Sequence, residues 1–259
     1  MQNYKRTLLQ VIKDNTFKIL NSITTKIGIF VKRYHRLNDH SHLREFLLRK
    51  YDINLFIDVG ANNGQTGMSV RKHNYTEKIL SFEPGTLPFS LLSKASKNDS
   101  SWEALNFAVG EENKEESLNI CSETQLNSFL PNKFVESSMF PGHQIVEKQL
   151  VNIKTLDSFL GNKINKNDRC YLKIDVQGFE EQVLQGGLTT LLQTYFVDIE
   201  LCTVELYQNQ PSVVKLLNIL EQNGFKLLQI YRVSNDHSTG QTIVCDAIFY
   251  NSQLVQDYK

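Results

Sequence analysis

The chain has no run of apolar residues near the roughly 20 needed to span a bilayer. Its "IGIFV" at 27–31 is too short for the core of a signal peptide and follows several polar residues rather than a basic start. Cysteines are few: Cys121, Cys170, Cys202 and Cys245, with gaps of 49, 32 and 43 residues. That spacing matches no zinc or redox motif. Cys170 and Cys202 fall in strand-like runs, where cysteine behaves as a small buried hydrophobe. Reduced thiols and the missing export signal lead us to expect a cytoplasmic protein. There is no net charge, with 28 basic residues against 28 acidic ones, so nothing global points to a nucleic-acid partner. Internal repeats are absent. No Gly-Lys-Ser/Thr follows any glycine loop, which excludes P-loop chemistry.

The balanced charge is unevenly placed. Residues 1–36 hold eight lysines and arginines against Asp14 alone, leaving +7 in this segment and −7 in the remainder. Apolar residues recur through residues 4–36 at roughly helical spacing, with lysines between them. Two readings stand: a helix packed on the main domain or on a second chain, and a basic amphipathic helix making peripheral contact with an anionic membrane. A short helix, "HLREFLLRKY" at 42–51, completes an N-terminal basic extension over residues 1–51, ahead of a main domain at 52–259.

From residue 52, strands and helices alternate. "NLFIDV" (54–59), "KILSFEP" (78–84), "WEALNFAVG" (102–110), "RCYLKIDVQG" (169–178) and "YFVDIELCTVELY" (195–207) read as strands. The helical stretches are 65–73, 87–97, the segment after Gly178, and 212–225. Residues 111–147 carry strand-like "LNICS" and then read as a long loop, the kind that in compact domains is usually functional or disordered. "KQLVNIKTLDSFL" (148–160) reads as a strand entering a short helix. The alternation implies an α/β fold with a mostly parallel sheet and helices on both faces. Two closing β segments joined by "SNDHSTG" imply a hairpin and an antiparallel edge. Such sheets bind ligands at the carboxyl ends of their strands, near the point where strand order reverses.

"DVGANNG" (58–64) is a glycine loop at such a strand end. A dinucleotide fingerprint would place glycine, not Asp58, at its first position, with a shorter final spacing. A carboxylate beside a pyrophosphate is repelled. The acid suits a ligand with positive charge at that end and no phosphate, which describes S-adenosylmethionine. Asp58 would meet its ammonium, directly or through water. The amides of the loop around Asn62, with the following helix N-terminus, would meet its carboxylate. Gly60 and Gly64 would let the backbone approach closely. Glu83, 19 residues beyond Gly64 and at the end of the next strand, is placed to take both ribose hydroxyls. Ala108, at the end of the third strand, leaves room for adenine.

With these residues in view the chain resembles the FkbM-type methyltransferases. The resemblance covers roughly residues 52–250. It rests on "FIDVGANNGQTG" (56–67), "SFEP" (81–84), "VNIKTLDSFL" (151–160), "YLKIDVQGFEEQVLQGG" (171–187) and "CDAIFY" (245–250). It implies a Rossmann-like class I methyltransferase fold with a seven-stranded sheet, S-adenosylmethionine as cofactor, and methyl transfer, usually to a hydroxyl of a sugar, glycan or other small molecule. The first 50 residues lie outside the family pattern.

Asp175, ending the fourth strand, would face the sulfonium from the acceptor side. It is the first choice as base, or as the group that binds the acceptor hydroxyl; capping the next helix is its structural alternative. Glu205, at another strand end, could join Asp175 in holding a divalent metal, but no tight ligand cluster is present and a metal site is not favoured. His143, in "FPGHQ", is a candidate on a loop over the acceptor. Glu180, in the first turn of its helix, reads either as structural or as a contact to substrate. Rival readings are a non-catalytic scaffold of the same fold recruited to a partner or membrane, and a nicotinamide-dependent oxidoreductase, which Asp58 disfavours.

Overall fold

The structure, a computed structural model, describes residues 16, 19–20, 22, 24–27, 36–133, 142–161, 163–165 and 167–258. The helix expected over 4–36 falls largely outside these residues. Its described part is helical at Thr16, Ile19, Leu20, Ser22 and Thr24 and ends in a 3₁₀ turn at Thr25–Ile27. Among the described residues no helix is long and apolar enough to cross a membrane.

The central sheet has seven strands: β1 (Leu55–Val59), β2 (Lys78–Phe82), β3 (Trp102–Leu105), β7 (Cys170–Ile174), β8 (Thr194–Cys202), β9 (Phe225–Asn235) and β10 (Thr242–Asn251). Their order is β3-β2-β1-β7-β8-β10-β9. The pairs among β3, β2, β1, β7 and β8 are parallel, while β10 runs antiparallel to both β8 and β9. This is the mostly parallel α/β sheet with an antiparallel hairpin edge that the alternating pattern implies. Strand order reverses between β1 and β7, so the crevice at their carboxyl ends is the place for a ligand.

Both faces of this sheet are covered, which is why β1 is buried at every position and reads as a continuous apolar run broken only by Asp58. One face carries Leu55, Ile57, Val59, Leu172 and Ile174. It packs against α4 (Leu156–Leu160), α5 (Glu180–Gln185), α6 (Leu188–Leu191) and α7 (Val213–Gln222). In α7, Leu216, Ile219 and Leu220 form the buried stripe, and Ser212 caps the helix by accepting from the Lys215 amide. The other face carries Phe56, Tyr171 and Phe196. It packs against α1 (His40–Lys50), α2 (Gln65–Lys72) and α3 (Thr86–Ser96). Gly67 lets α2 lie this close: a Cβ there would stand 2.2 Å from the Trp102 indole, whose Nε1 donates to Ser81 Oγ at 3.0 Å. Helix α1 buries Leu43, Leu47 and Leu48 in the same cluster.

Two expectations change. "WEALNFAVG" is not one strand: β3 ends at Leu105, and β4 (Ala108–Val109) belongs to a second sheet. The strand-like "LNICS" covers the second half of β5 (Lys114–Cys121), which begins four residues earlier and joins that sheet, ordered β4-β6-β5 with β6 (Ile145–Lys154) in the middle. In β5 only Leu118, Asn119 and Cys121 are buried, so its acidic first half shows solvent and hides the strand pattern.

Candidate active site

β1 delivers Asp58 to the interior, opposite Ser81 of β2 and Lys173 of β7. Its side chain is fully buried and neither carboxylate oxygen has a hydrogen-bond partner. Burial pushes its pKa up to about 6, against the pull of the Lys173 ammonium. The chain then turns through Gly60 at φ 80°, where a Cβ would stand 1.8 Å from the Asp175 carbonyl oxygen. Only glycine fits that crossing of the β1 and β7 loops. The amides of Gly60 and Ala61 both reach the Phe82 carbonyl, at 3.1 and 3.0 Å. The loop is thereby tied to the end of β2, where Glu83 stands. Glu83 is 5 % exposed; its Oε2 accepts from the Asn62 amide at 2.9 Å and its Oε1 from the Gly85 amide at 2.8 Å. Burial outweighs these two bonds and raises its pKa to about 7.

On the β7 side, Asp175 follows the last strand residue, and its amide donates to the Val59 carbonyl at 3.0 Å. Its Oδ2 accepts from Lys173 Nζ and its Oδ1 from Gln177 Nε2, both at 3.0 Å. Burial works against the Lys173 charge, but Asp175 and Asp58 outweigh it and raise its pKa. Gln177 also donates to Glu200 at 2.7 Å and accepts from the Tyr207 hydroxyl at 2.7 Å. The Glu200 carboxyl is pushed well up by burial and then by Asp175 and Glu180. Glu180 accepts from the Gly178 amide at 3.0 Å and is buried, so it fastens the turn after β7, as its place in the first helical turn suggests.

These groups surround one cavity of about 590 Å³. Gly60, Asn62, Glu83 and Ala108 line one part of it; Lys173, Asp175, Gln177, Glu200 and His143 line another. Asp58 is not among the lining residues, although its chain neighbour Val59 and its strand partner Lys173 are. Gly64 lies outside the wall, packed on Leu92 and Trp102 as the N-cap of α2. His143 is buried, 6.1 Å from the Tyr207 ring by centroids. Residues 134–141, which precede it, lie outside the described residues.

Glu205 does not join this group. β8 ends at Cys202, three residues earlier, and Glu205 is not among the residues that line the cavity. Glu205 is half exposed, ion-paired with Lys133, and belongs to a separate surface pocket beside Cys202 and Pro211. The Asp175–Glu205 metal reading loses its ligand pair. The acids that β8 does bring inward are Asp198, buried, and Glu200, which faces Asp246 of β10. Asp198 is held by Arg44 Nη2 at 2.7 Å, Tyr171 Oη at 3.0 Å and His40 Nε2 at 2.9 Å. The signal for both acids was in the sequence: two carboxylates at alternate positions in an otherwise apolar strand, as Asp58 is in β1.

A phosphate-free, partly cationic ligand fits this donor set. The carboxylate of Asp58 is buried and unpartnered behind the lining residues Val59 and Lys173, and a carboxylate fixed by two amides stands at Glu83 on the next strand.

The chain matches the methyltransferase FkbM domain over residues 58–227. "Methyltransferase 1" of Beauveria bassiana (strain ARSEF 2860) is 26% identical over 205 residues, covering 71% of this chain and 79% of that one. Among solved structures, an rRNA methylase from Streptococcus thermophilus aligns with a TM-score of 0.46 at 10% identity, covering 85% of this chain and 99% of that one. A SAM-dependent methyltransferase from Aquifex aeolicus aligns with a TM-score of 0.40 at 12% identity, covering 85% and 100%.

Proposed function

This chain belongs to the FkbM methyltransferase family, and from that premise we propose that it moves the methyl group of S-adenosylmethionine to a hydroxyl of a sugar or other small molecule. The observation that carries this reading is the placement of Asp175. Its carboxylate is aimed by Lys173 and Gln177 and lines the same cavity as the glycine loop and Glu83.

The cofactor supplies a methyl carbon made electrophilic by its sulfonium. On the protein's side, Gly60 and Asn62 would lie against the amino-acid end, and the buried carboxylate of Asp58 would meet the ammonium directly or through water. Glu83 takes the ribose hydroxyls, and Ala108 leaves space for the base. Asp175 would accept a hydrogen bond from the acceptor hydroxyl and take up its proton, leaving that oxygen free to receive the methyl group the cofactor would supply. His143 stands on the acceptor side of the wall. Holding donor and acceptor in line supplies much of the rate, since oriented groups reach effective molarities of about 10⁵–10⁸ M.

Radiolabelled methyl donor, incubated with the protein and an extract of glycans and metabolites from the source organism, tests the assignment. Label recovered in an alkali-stable ether on a sugar or small alcohol supports it. Label found only in nitrogen-linked products contradicts it.

A further inference from the structure

Away from this cavity, the structure brings together three side chains that the methyl-transfer chemistry does not use. His42 and Glu45 lie three residues apart on α1 and so share a face of the helix. His73 is the residue that ends α2. One potential ligand atom from each of the three lies within 4.8 Å of the other two. The rings of His42 and His73 are 5.8 Å apart by centroids.

The partners of the two imidazoles are those of metal ligands. His42 Nδ1 lies 3.0 Å from the carboxylate of Asp39, and His73 Nδ1 lies 2.9 Å from the Ser69 carbonyl oxygen. A ligating histidine almost always gives its second ring N–H to a carboxylate or backbone carbonyl, which fixes the tautomer and aims the other nitrogen. Both histidines meet that condition, and in both the ligating atom is then Nε2. Asp39 is itself fixed, because it caps α1 by accepting from the His42 amide at 3.0 Å. Glu45 supplies the carboxylate; Arg49 Nη1 lies 3.5 Å from its Oε1 on a largely exposed side chain.

We propose that His42, Glu45 and His73 form a binding site for a divalent transition-metal ion of the zinc type. Two imidazoles and one carboxylate are a donor set of zinc sites that leave one position to water. Glu45 and His73 line a cavity of about 540 Å³, which provides that access. The pocket also contains Asn54 and Arg169, at the amino ends of β1 and β7, so it opens at the end of the sheet opposite the glycine loop. The ion joins α1 to the end of α2, the helix that begins at the glycine loop. Its role is to clamp the N-terminal helix onto the cofactor-binding unit.

The test uses the untagged full chain, stripped with chelator and titrated with Zn²⁺ alone by calorimetry, and with Co²⁺ followed by its visible absorption. The expected result is one ion per chain. His73→Ala and Glu45→Gln each weaken binding by at least about tenfold, the lower end of what a lost supporting partner costs. Both variants keep the wild-type affinity for S-adenosylhomocysteine, which shows that they fold. Zn²⁺ binding unchanged in the variants, or no saturable one-to-one binding by wild type, overturns the proposal.

Discussion

Asp58 and Lys173 stand directly opposite each other on β1 and β7, yet Lys173 gives its hydrogen bond to Asp175 and leaves both Asp58 oxygens without a partner. A buried carboxylate in that state destabilises the fold, because its lost hydration is not made good by hydrogen bonds. We propose that its presence is explained by the ligand. Asp58→Asn is expected to leave the melting temperature of the ligand-free protein unchanged or raised. The dissociation constant for S-adenosylhomocysteine is expected to rise at least about tenfold, equivalent to about 1.4 kcal/mol. Calorimetry and a melting scan on the same preparation read both effects. A variant that loses stability but keeps its affinity would assign Asp58 to the fold instead.

The pH dependence follows from the same burial. Asp58 at about 6, and Glu83 and Glu180 at about 7, all sit above their ordinary values. Between pH 4 and 7 the folded chain holds protons that the unfolded chain has released. The contribution of these groups to stability is thus greatest below about pH 4 and is lost as pH rises through 6 and 7. Ligand affinity runs the other way, since the ammonium and ribose hydroxyls call for ionised carboxylates. Affinity for S-adenosylhomocysteine should climb from pH 5.5 to 7.5 and then level. In Asp58→Asn the part of the climb near pH 6 should disappear.

His40 has the opposite sign. Burial disfavours its charge, but Asp198 outweighs that and lifts its pKa to about 9. The stabilisation it gives is complete below about pH 6.5 and is lost as pH rises through 9. His40→Gln should lower stability at pH 6.5 and flatten the decline between pH 7 and 10, as measured by denaturant unfolding.

Asp175 and Glu205 are both acids past a strand end, and the structure separates them. Asp175→Asn should keep cofactor affinity and lower kcat by about 10²–10⁴-fold, the range of a lost general base. Glu205→Gln, which breaks only a surface pair with Lys133, should leave turnover unchanged. Release of S-adenosylhomocysteine with the identified acceptor provides the readout.

Gly67→Ala tests the packing beneath the loop. The new methyl group meets the Trp102 indole at 2.2 Å, held between α2 and β3. The expected cost is about 1–3 kcal/mol, measured by denaturant unfolding, with cofactor affinity reduced because α2 carries the loop's far end.

Much of this was legible in the sequence for a physical reason. A parallel sheet buried on both faces needs apolar runs, so β1, β2, β7 and β8 announced themselves, and Asp58 and Glu83 stood out as acids at the ends of such runs; both are buried. The second sheet was legible only in part: "LNICS" and "KQLVNIK" read as strands, but the first half of β5 is exposed and its charges mimic a loop. Glu205 was misplaced because "CTVELY" carries strand-like residues past the point where β8 ends. Glu200 was passed over although it alternates with Asp198. The network joining Arg44 and His40 to Asp198 spans more than 150 residues of sequence and leaves no local pattern.

The most direct test of the account is a calorimetric titration of the wild-type chain with S-adenosylmethionine and, separately, with NAD. The account predicts saturable one-to-one binding of S-adenosylmethionine and no heat from NAD. Binding of NAD with no response to S-adenosylmethionine would contradict it.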